Sequence, residues 1–418
     1  MSKDFSSLHL KPELLQAVEE LGYQKPTPIQ QRAIPKVLDG RDVLGCAQTG
    51  TGKTAAFLLP VLNRLLDISS DGKGKSQVQV LILAPTRELV AQIGENCTQY
   101  SKYSQQQSLV VFGGVEIEPQ IQGLKNGVDI LIATPGRLLD LHERGHLKLR
   151  DIKFFILDEA DRMLDMGFIP DIERILKLLP DKKQSLLFSA TMPKTVKILA
   201  KSFLNDSIYI EVDRESSTVE NIVQRKMYVA QSNKKRLLES MLSSDDIDSA
   251  IVFTNTKNGA DRVLKSLLAA NIQARSIHGN KSQDARTQAL EQFSSGDIKV
   301  LVATDVAARG IDISKISHVF NFDIPNNPET YVHRIGRTGR AGEKGLAISF
   351  VDQVEVLDLR NIEQLIGKEI QLDKRHEWHC GLAQKEMQIQ KKKGFKEVSK
   401  KNKPKQSRSK PKFRPRRR

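Results

Sequence analysis

Cysteine is nearly absent: Cys46, Cys97 and Cys380 are the only three in 418 residues. They are far apart and odd in number, which excludes a disulfide framework and fits a reducing compartment. No run of about eighteen apolar residues occurs, and Met1-Ser2-Lys3-Asp4-Phe5 lacks a signal-peptide pattern. A soluble, cytoplasmic chain without a membrane partner is therefore expected. Excess charge is also missing from most of the chain, although the total is +15. Residues 391–418 hold 15 of the 65 Lys and Arg and one acid, Glu397, which leaves 50 bases against 49 acids elsewhere. A near-neutral body with a polyanion-binding arm fits this division better than a body coated in charge.

What is present is enough apolar sequence, 39%, for two domains and extra segments. Short apolar runs alternate with helical stretches: Val43 to Cys46, Val78 to Leu83, Leu109 to Phe112, Ile130 to Ile132, Phe154 to Leu157 and Ser185 to Phe188. The pattern resumes with Ala250 to Phe253, Ala274 to Ile277, Val300 to Val302, Val319 to Phe322 and Ala347 to Val351. Continuous apolar runs of this kind predict an α/β fold with parallel sheets covered on both faces, and ligands then bind at the carboxyl ends of the strands. The expected division is an entry segment at 1–33, a first domain at 34–207, a linker at 208–220, a second domain at 221–372 and a basic, disordered tail at 373–418.

The stretch Ala47-Gln48-Thr49-Gly50-Thr51-Gly52-Lys53-Thr54 follows a strand and opens a helix, the layout of a nucleotide triphosphate site. Lys53 is placed for the β- and γ-phosphates and Thr54 for magnesium; a tight strand-to-helix turn is the alternative. Asp158 and Glu159 directly follow a buried strand, where one acid suits magnesium, directly or through water, and the other suits activation of a water. Acids at an ordinary helix N-terminus are the other reading. Arg337 and Arg340, interleaved with glycines, suit charge developing during phosphoryl transfer, or else a solvated helix end. With only one phosphate loop between two similar domains, a nucleotide sandwiched in a cleft is expected.

Taken in order, Gly22 to Gln30, Ala47 to Thr54, Pro85 to Leu89, Gly113-Gly114, Thr134 to Arg137, Asp158 to Asp161, Ser189 to Thr191, Ala303 to Asp312 and His333 to Arg340 resemble the DEAD-box RNA helicases, and the RhlE-type bacterial branch most. The resemblance spans residue 5 to about residue 350 and implies two tandem RecA-like domains and an ATP-dependent, RNA-stimulated enzyme that uses magnesium. It implies that Gln30, with Tyr23, Lys25 and Thr27, reads adenine, that Phe5 packs on the base and that Asp312 contacts ribose. Lys53, Asp158, Glu159, Arg337 and Arg340 would be catalytic, while Ser189, Thr191 and His333 would couple hydrolysis to domain closure. RNA would be held by Arg87, Gly114, Thr134, Arg137, Thr256, Gly279, Gln283, Arg286, Thr304 and Arg309. Aromatics are 5% of the chain, so backbone contact without sequence preference is expected over base stacking.

Local duplex unwinding by a monomer, in ribosome assembly or RNA decay, is the expectation from the family. A non-catalytic ATP-gated RNA clamp and a DNA-directed helicase are the alternatives, separable by nucleotide turnover with RNA or DNA. The tail reads as an RNA tether or as solubilising charge. His376, His379 and Cys380 cluster around Trp378, but no second ligand pair has metal-site spacing.

Overall fold

The computed structural model describes residues 4–48, 50–68, 77–212, 222–244, 247–308, 316–339 and 345–390. The first domain is built on a seven-stranded sheet. Its strands are β1 (Val43–Cys46), β2 (Val80–Leu83), β3 (Ser108–Val111), β4 (Ile130–Ala133), β5 (Phe154–Leu157), β6 (Gln184–Ser189) and β7 (Ile208–Glu211). The second carries β8 (Ile222–Tyr228), β9 (Ala250–Thr254), β10 (Ala274–Ile277), β11 (Val300–Thr304), β12 (His318–Asn321), β13 (Gly345–Val351) and β14 (Gln371–Leu372). The strand orders are β3-β4-β2-β5-β6-β1-β7 and β10-β11-β9-β12-β13-β8-β14. These are one topology used twice, and every neighbouring pair is parallel.

Strands β2, β4, β5 and β6 are buried along their whole length, because helices cover both faces of the sheet. One apolar cluster packs Phe57, Leu59 and Val90 against one face, and a second packs Leu138, Met163 and Ile172 against the other. The strand order sets β5, β6 and β1 side by side, with Cys46 opposite Ser189 in the register. Ala47, Asp158 and Ser189 thereby reach the same sheet edge from three separate parts of the chain. Among the described residues no helix is long and apolar enough to cross a membrane.

Two boundaries differ from expectation. The linker does not begin at 208: Ile208–Glu211 is β7, paired with β1 from Val43↔Ile208 to Cys46↔Glu211. Strand β1 needs a partner on its second side, and Ile210 is buried in the first core, so this short run joins the sheet. Residues 213–220 lie outside the described residues. The tail likewise does not begin at 373. Asp373 N donates to Lys226 O at 2.9 Å, Cys380 N donates to Tyr228 O at 2.8 Å, and His379 bridges antiparallel to Val229. Residues 381–390 are helical and bury only Ala383 and Met387, one turn apart, against the second core. With so narrow a contact, the segment carries little apolar periodicity. Residues 391–418, with the expected basic tail, lie outside the described residues.

Candidate functional site

The loop after β1 turns sharply into the helix Lys53–Ile68. Gly50 and Gly52 have φ of +84° and +86°, which side-chain-bearing residues avoid. Gly52 also has no room, since a Cβ would lie 2.4 Å from Gln30 Nε2. Gln30 donates to Gly52 O at 3.1 Å and accepts from Thr27 N at 2.9 Å, tying the loop to the start of the helix Pro28–Leu38. Thr27 Oγ1 is buried there without a hydrogen-bond partner. Ala47 N donates to Ser189 O at 3.0 Å, and Thr51 Oγ1 donates to Gln48 O at 2.6 Å. Lys53, 6% exposed, donates to Ala47 O at 2.8 Å, and Thr54 follows it in the helix. Phe5 is buried with its ring 5.9 Å from that of Tyr23, while Lys25 is exposed on the same turn. Thr49 lies outside the described residues.

Asp158 is 2% exposed at the end of β5. Burial pushes its carboxyl up to about 7, Lys53 opposes that shift, and Glu159 adds to it. Glu159 has φ +53°, a left-handed conformation uncommon for a non-glycine residue, and ion-pairs with the buried Arg162. Asp161 Oδ2 accepts from Thr191 N and Thr191 Oγ1, both at 2.8 Å. Ser189 Oγ accepts from Asp161 N at 3.2 Å and donates to Thr191 O at 2.7 Å. The Ser189 and Thr191 pair is thus locked onto the helix that starts beside Glu159.

The second domain faces this cluster. Burial drives His333 down to about 4, and Arg162 and Arg337 push the same way against Asp161 and Glu159. Three of those four groups belong to the first domain, so His333 sits across the cleft from it. Arg337 is buried on the turn after the helix Pro328–Ile335. The next residue fixes that turn: Thr338 Oγ1 bonds to Ile316 O and, at 3.1 Å, to Ser317 O. Arg340, Asp312 and Arg309 lie outside the described residues.

A cavity of about 510 Å³ opens at the start of the helix Arg87–Tyr100. Arg87, Thr134 and Arg137 line it from the first domain and Arg286 from the second. Arg286 Nη2 lies 2.6 Å from Glu88 Oε1, and Gln283 Nε2 donates to the same oxygen at 3.4 Å. Arg137 Nη2 donates to Val115 O at 2.9 Å, leaving its Nη1 and Arg286 Nε buried without a partner. Burial lowers the Arg87 pKa, and the nearby Arg286 and Arg137 lower it further. A Cβ on Gly114 would meet the Arg87 guanidinium at 2.1 Å, so glycine lets Arg87 lie flat. Gly114, Thr256, Gly279 and Thr304 do not line the cavity. Thr256 instead caps the helix Lys257–Ala269, and Gly279 lies beneath Lys257.

Comparison with known proteins agrees with this geometry. The DEAD/DEAH box helicase family matches residues 27–199, and the helicase conserved C-terminal domain matches residues 233–342. The DEAD-box ATP-dependent RNA helicase CshA of Bacillus cereus (strain ATCC 10987 / NRS 248) is 46% identical over 360 residues, covering 86% of this chain and 67% of that protein. This chain belongs to the DEAD-box ATP-dependent RNA helicases. Within the family, Saccharomyces cerevisiae Dbp5 bound to RNA and ADP BeF3 is 34% identical and covers 93% of this chain and 99% of its own, with a TM-score of 0.80. A DEAD box protein from Methanococcus jannaschii, 38% identical and covering 89% and 99%, gives a TM-score of 0.50. Greater identity with a poorer superposition means that the two domains of this helicase are arranged more as in the RNA-bound Dbp5.

Two site residues escaped sequence reading. Glu88 stands inside a quoted motif, yet its partners are 195 and 198 positions away in the other domain, and no local pattern announces them. Arg334, 1% exposed, holds Asp305 with bonds of 2.6 and 2.7 Å and also donates to Asn255 Oδ1 and Asp323 O. It braces the second sheet edge, whereas its neighbour His333 faces the cleft.

Proposed function

We propose that this helicase hydrolyses ATP between its two domains and couples closure to the bending of RNA. The observation that carries this reading is His333, beside Arg337, opposite Asp161, Glu159 and Arg162 of the first domain. Phosphoryl transfer needs positioning and positive charge more than covalent chemistry. Ala47 to Thr54 would hold the phosphates, with Lys53 as their charge partner. Gln30, Thr27, Lys25, Tyr23 and Phe5 would form the base pocket, in which the unpartnered Thr27 hydroxyl is a ready donor. Glu159 would orient and deprotonate water, and Arg337 with Arg340 would complete the site only on closure, through the Ser189, Thr191 and His333 network. Asp312 would contact ribose.

The hard oxygens of Thr54 and Asp158 suit magnesium, and the deeply buried Asp158 carboxyl is a charge that a cation would compensate. Magnesium, when bound there, would neutralise phosphate charge.

RNA would lie over the cavity, its phosphates held by Arg87, Arg137 and Arg286 and by the amides and hydroxyls of Gly114, Thr134, Thr256, Gly279, Gln283 and Thr304, with Arg309. The unpartnered guanidinium nitrogens support an anion there. Ribosome assembly or RNA decay, cytoplasmic location, a monomeric state and the RhlE-type branch belong to this proposal as well. So does the domain division, with the first domain extended to 212 and the second to 390. ATP turnover with and without single-stranded RNA tests the reading, beside Glu159→Gln. RNA should stimulate the wild type, and the variant should bind ATP yet lose about a hundredfold or more in turnover. Binding of RNA and ATP without stimulated turnover would replace the enzyme by a clamp.

A further inference from the structure

The helix Arg87–Tyr100 reaches from the arginine-lined cavity to the base pocket. Its 14 residues span about 21 Å at 1.5 Å per residue. At its start, Arg87 lines the cavity and Glu88 holds Arg286 of the second domain. At its end, Tyr100 Oη lies 2.9 Å from Tyr23 Oη, with the two rings 6.3 Å apart and edge-on. Tyr100 is 1% exposed, whereas Tyr23 is 38% exposed and packs on Phe5. Just beyond the helix, Lys102 Nζ lies 2.6 Å from Glu20 Oε2 and Tyr103 Oη bonds to the other oxygen of Glu20. The turn that carries Tyr23, Lys25, Thr27 and Gln30 is therefore fastened to the far end of the same helix. Midway, Gly94 lets the helix press on β3, since a Cβ there would sit 2.3 Å from Val110 Cγ2. A helix held this closely transmits displacement along its axis better than it tilts.

We propose that Tyr100 is a positioning residue that links RNA contact at Arg87 and Glu88 to the base pocket, through its hydroxyl pair with Tyr23. This rests on the placement of ATP and RNA given above. RNA seated at the first turn sets the helix, the helix sets Tyr23, and Tyr23 with Phe5 closes on the base. Coupling between two binding sites is reciprocal, so whatever RNA does to ATP affinity, ATP does to RNA affinity by the same factor. Tyr100→Phe removes the link cleanly. It leaves no fully buried residue with an unpaired group, since the remaining partner, Tyr23, is 38% exposed.

The test measures the dissociation constant of a non-hydrolysable ATP analogue with and without single-stranded RNA, and RNA affinity with and without that analogue, in the full chain. In Tyr100→Phe the RNA effect on ATP, and the ATP effect on RNA, should both shrink by about fivefold, the equivalent of one hydrogen bond. Turnover at saturating ATP and RNA, and RNA affinity without nucleotide, should stay at the wild-type level. Undiminished coupling in a folded Tyr100→Phe overturns the inference and leaves the proposed function standing. A wild type without RNA-stimulated turnover overturns both. Should Tyr100→Phe fail to fold, Glu20→Gln carries the test, with a loss of coupling of about twofold, as befits an exposed ion pair. Full coupling in that variant also overturns the inference.

Discussion

The two domains place a lysine and an aspartate at similar points of one topology, the second aspartate one position later. In the first, Lys53 opens the helix after β1 and Asp158 follows β5; in the second, Lys234 opens the helix after β8 and Asp323 follows β12. Their surroundings differ. Lys53 donates to a loop carbonyl beside two glycines of positive φ. Lys234 is fully buried, 2.6 Å from Glu355 Oε2 and 3.9 Å from Asp323 Oδ1, and it also donates to Phe322 O at 2.8 Å. An added carboxylate and the lack of a glycine turn make the second position a brace, while the first carries the phosphate role proposed for Lys53. The site therefore depends on the loop laid over the fold.

Exchanging the fates of the two lysines breaks the comparison most sharply. Lys53→Ala should cut ATP turnover about a hundredfold or more and leave the unfolding midpoint nearly unchanged. Lys234→Met should strand Glu355 as a buried, unpaired charge and lower stability by about 3–5 kcal/mol in chemical denaturation. Equal effects of the two on stability would contradict the assignment. Next in size is Glu88→Ala, which frees Arg286 from its cross-domain partner. The ratio of closed to open molecules, read by fluorescence transfer between domain labels, should fall by about tenfold, the worth of a charge-assisted hydrogen bond.

A smaller effect comes from acid. In the closed arrangement His333 titrates at about 4, lowered by burial and then by Arg162 and Arg337, with Asp161 and Glu159 opposing. Once the domains part, its pKa returns toward the ordinary value of about 6.5. Between those values only the open form takes up the proton. Closure should therefore be unaffected well above about pH 6.5 and weaken severalfold by about pH 6. His333→Gln should abolish that dependence.

Much of this was legible because a buried parallel strand is written as a continuous apolar run, and the polar residue that ends the run marks the ligand edge. Val43 to Cys46 and Phe154 to Leu157 placed Lys53 and Asp158 correctly at that edge. Edge elements were less legible. β7 has exposed alternate residues and a polar sequel, and 381–390 contacts its domain through only two buried residues. Pairings across long sequence distances were not legible at all. Glu88 with Arg286 and Tyr23 with Tyr100 exist only once both partners have been placed by the fold, and neither has a local signature.

In the proposed function the first domain binds the nucleotide while the second completes the site from across the cleft. Arg337→Ala tests it most directly, by RNA-stimulated ATP turnover measured beside ATP affinity. Turnover should fall about a thousandfold, as for a removed arginine finger, with ATP affinity within about threefold of the wild type. Turnover unchanged by Arg337→Ala would contradict it.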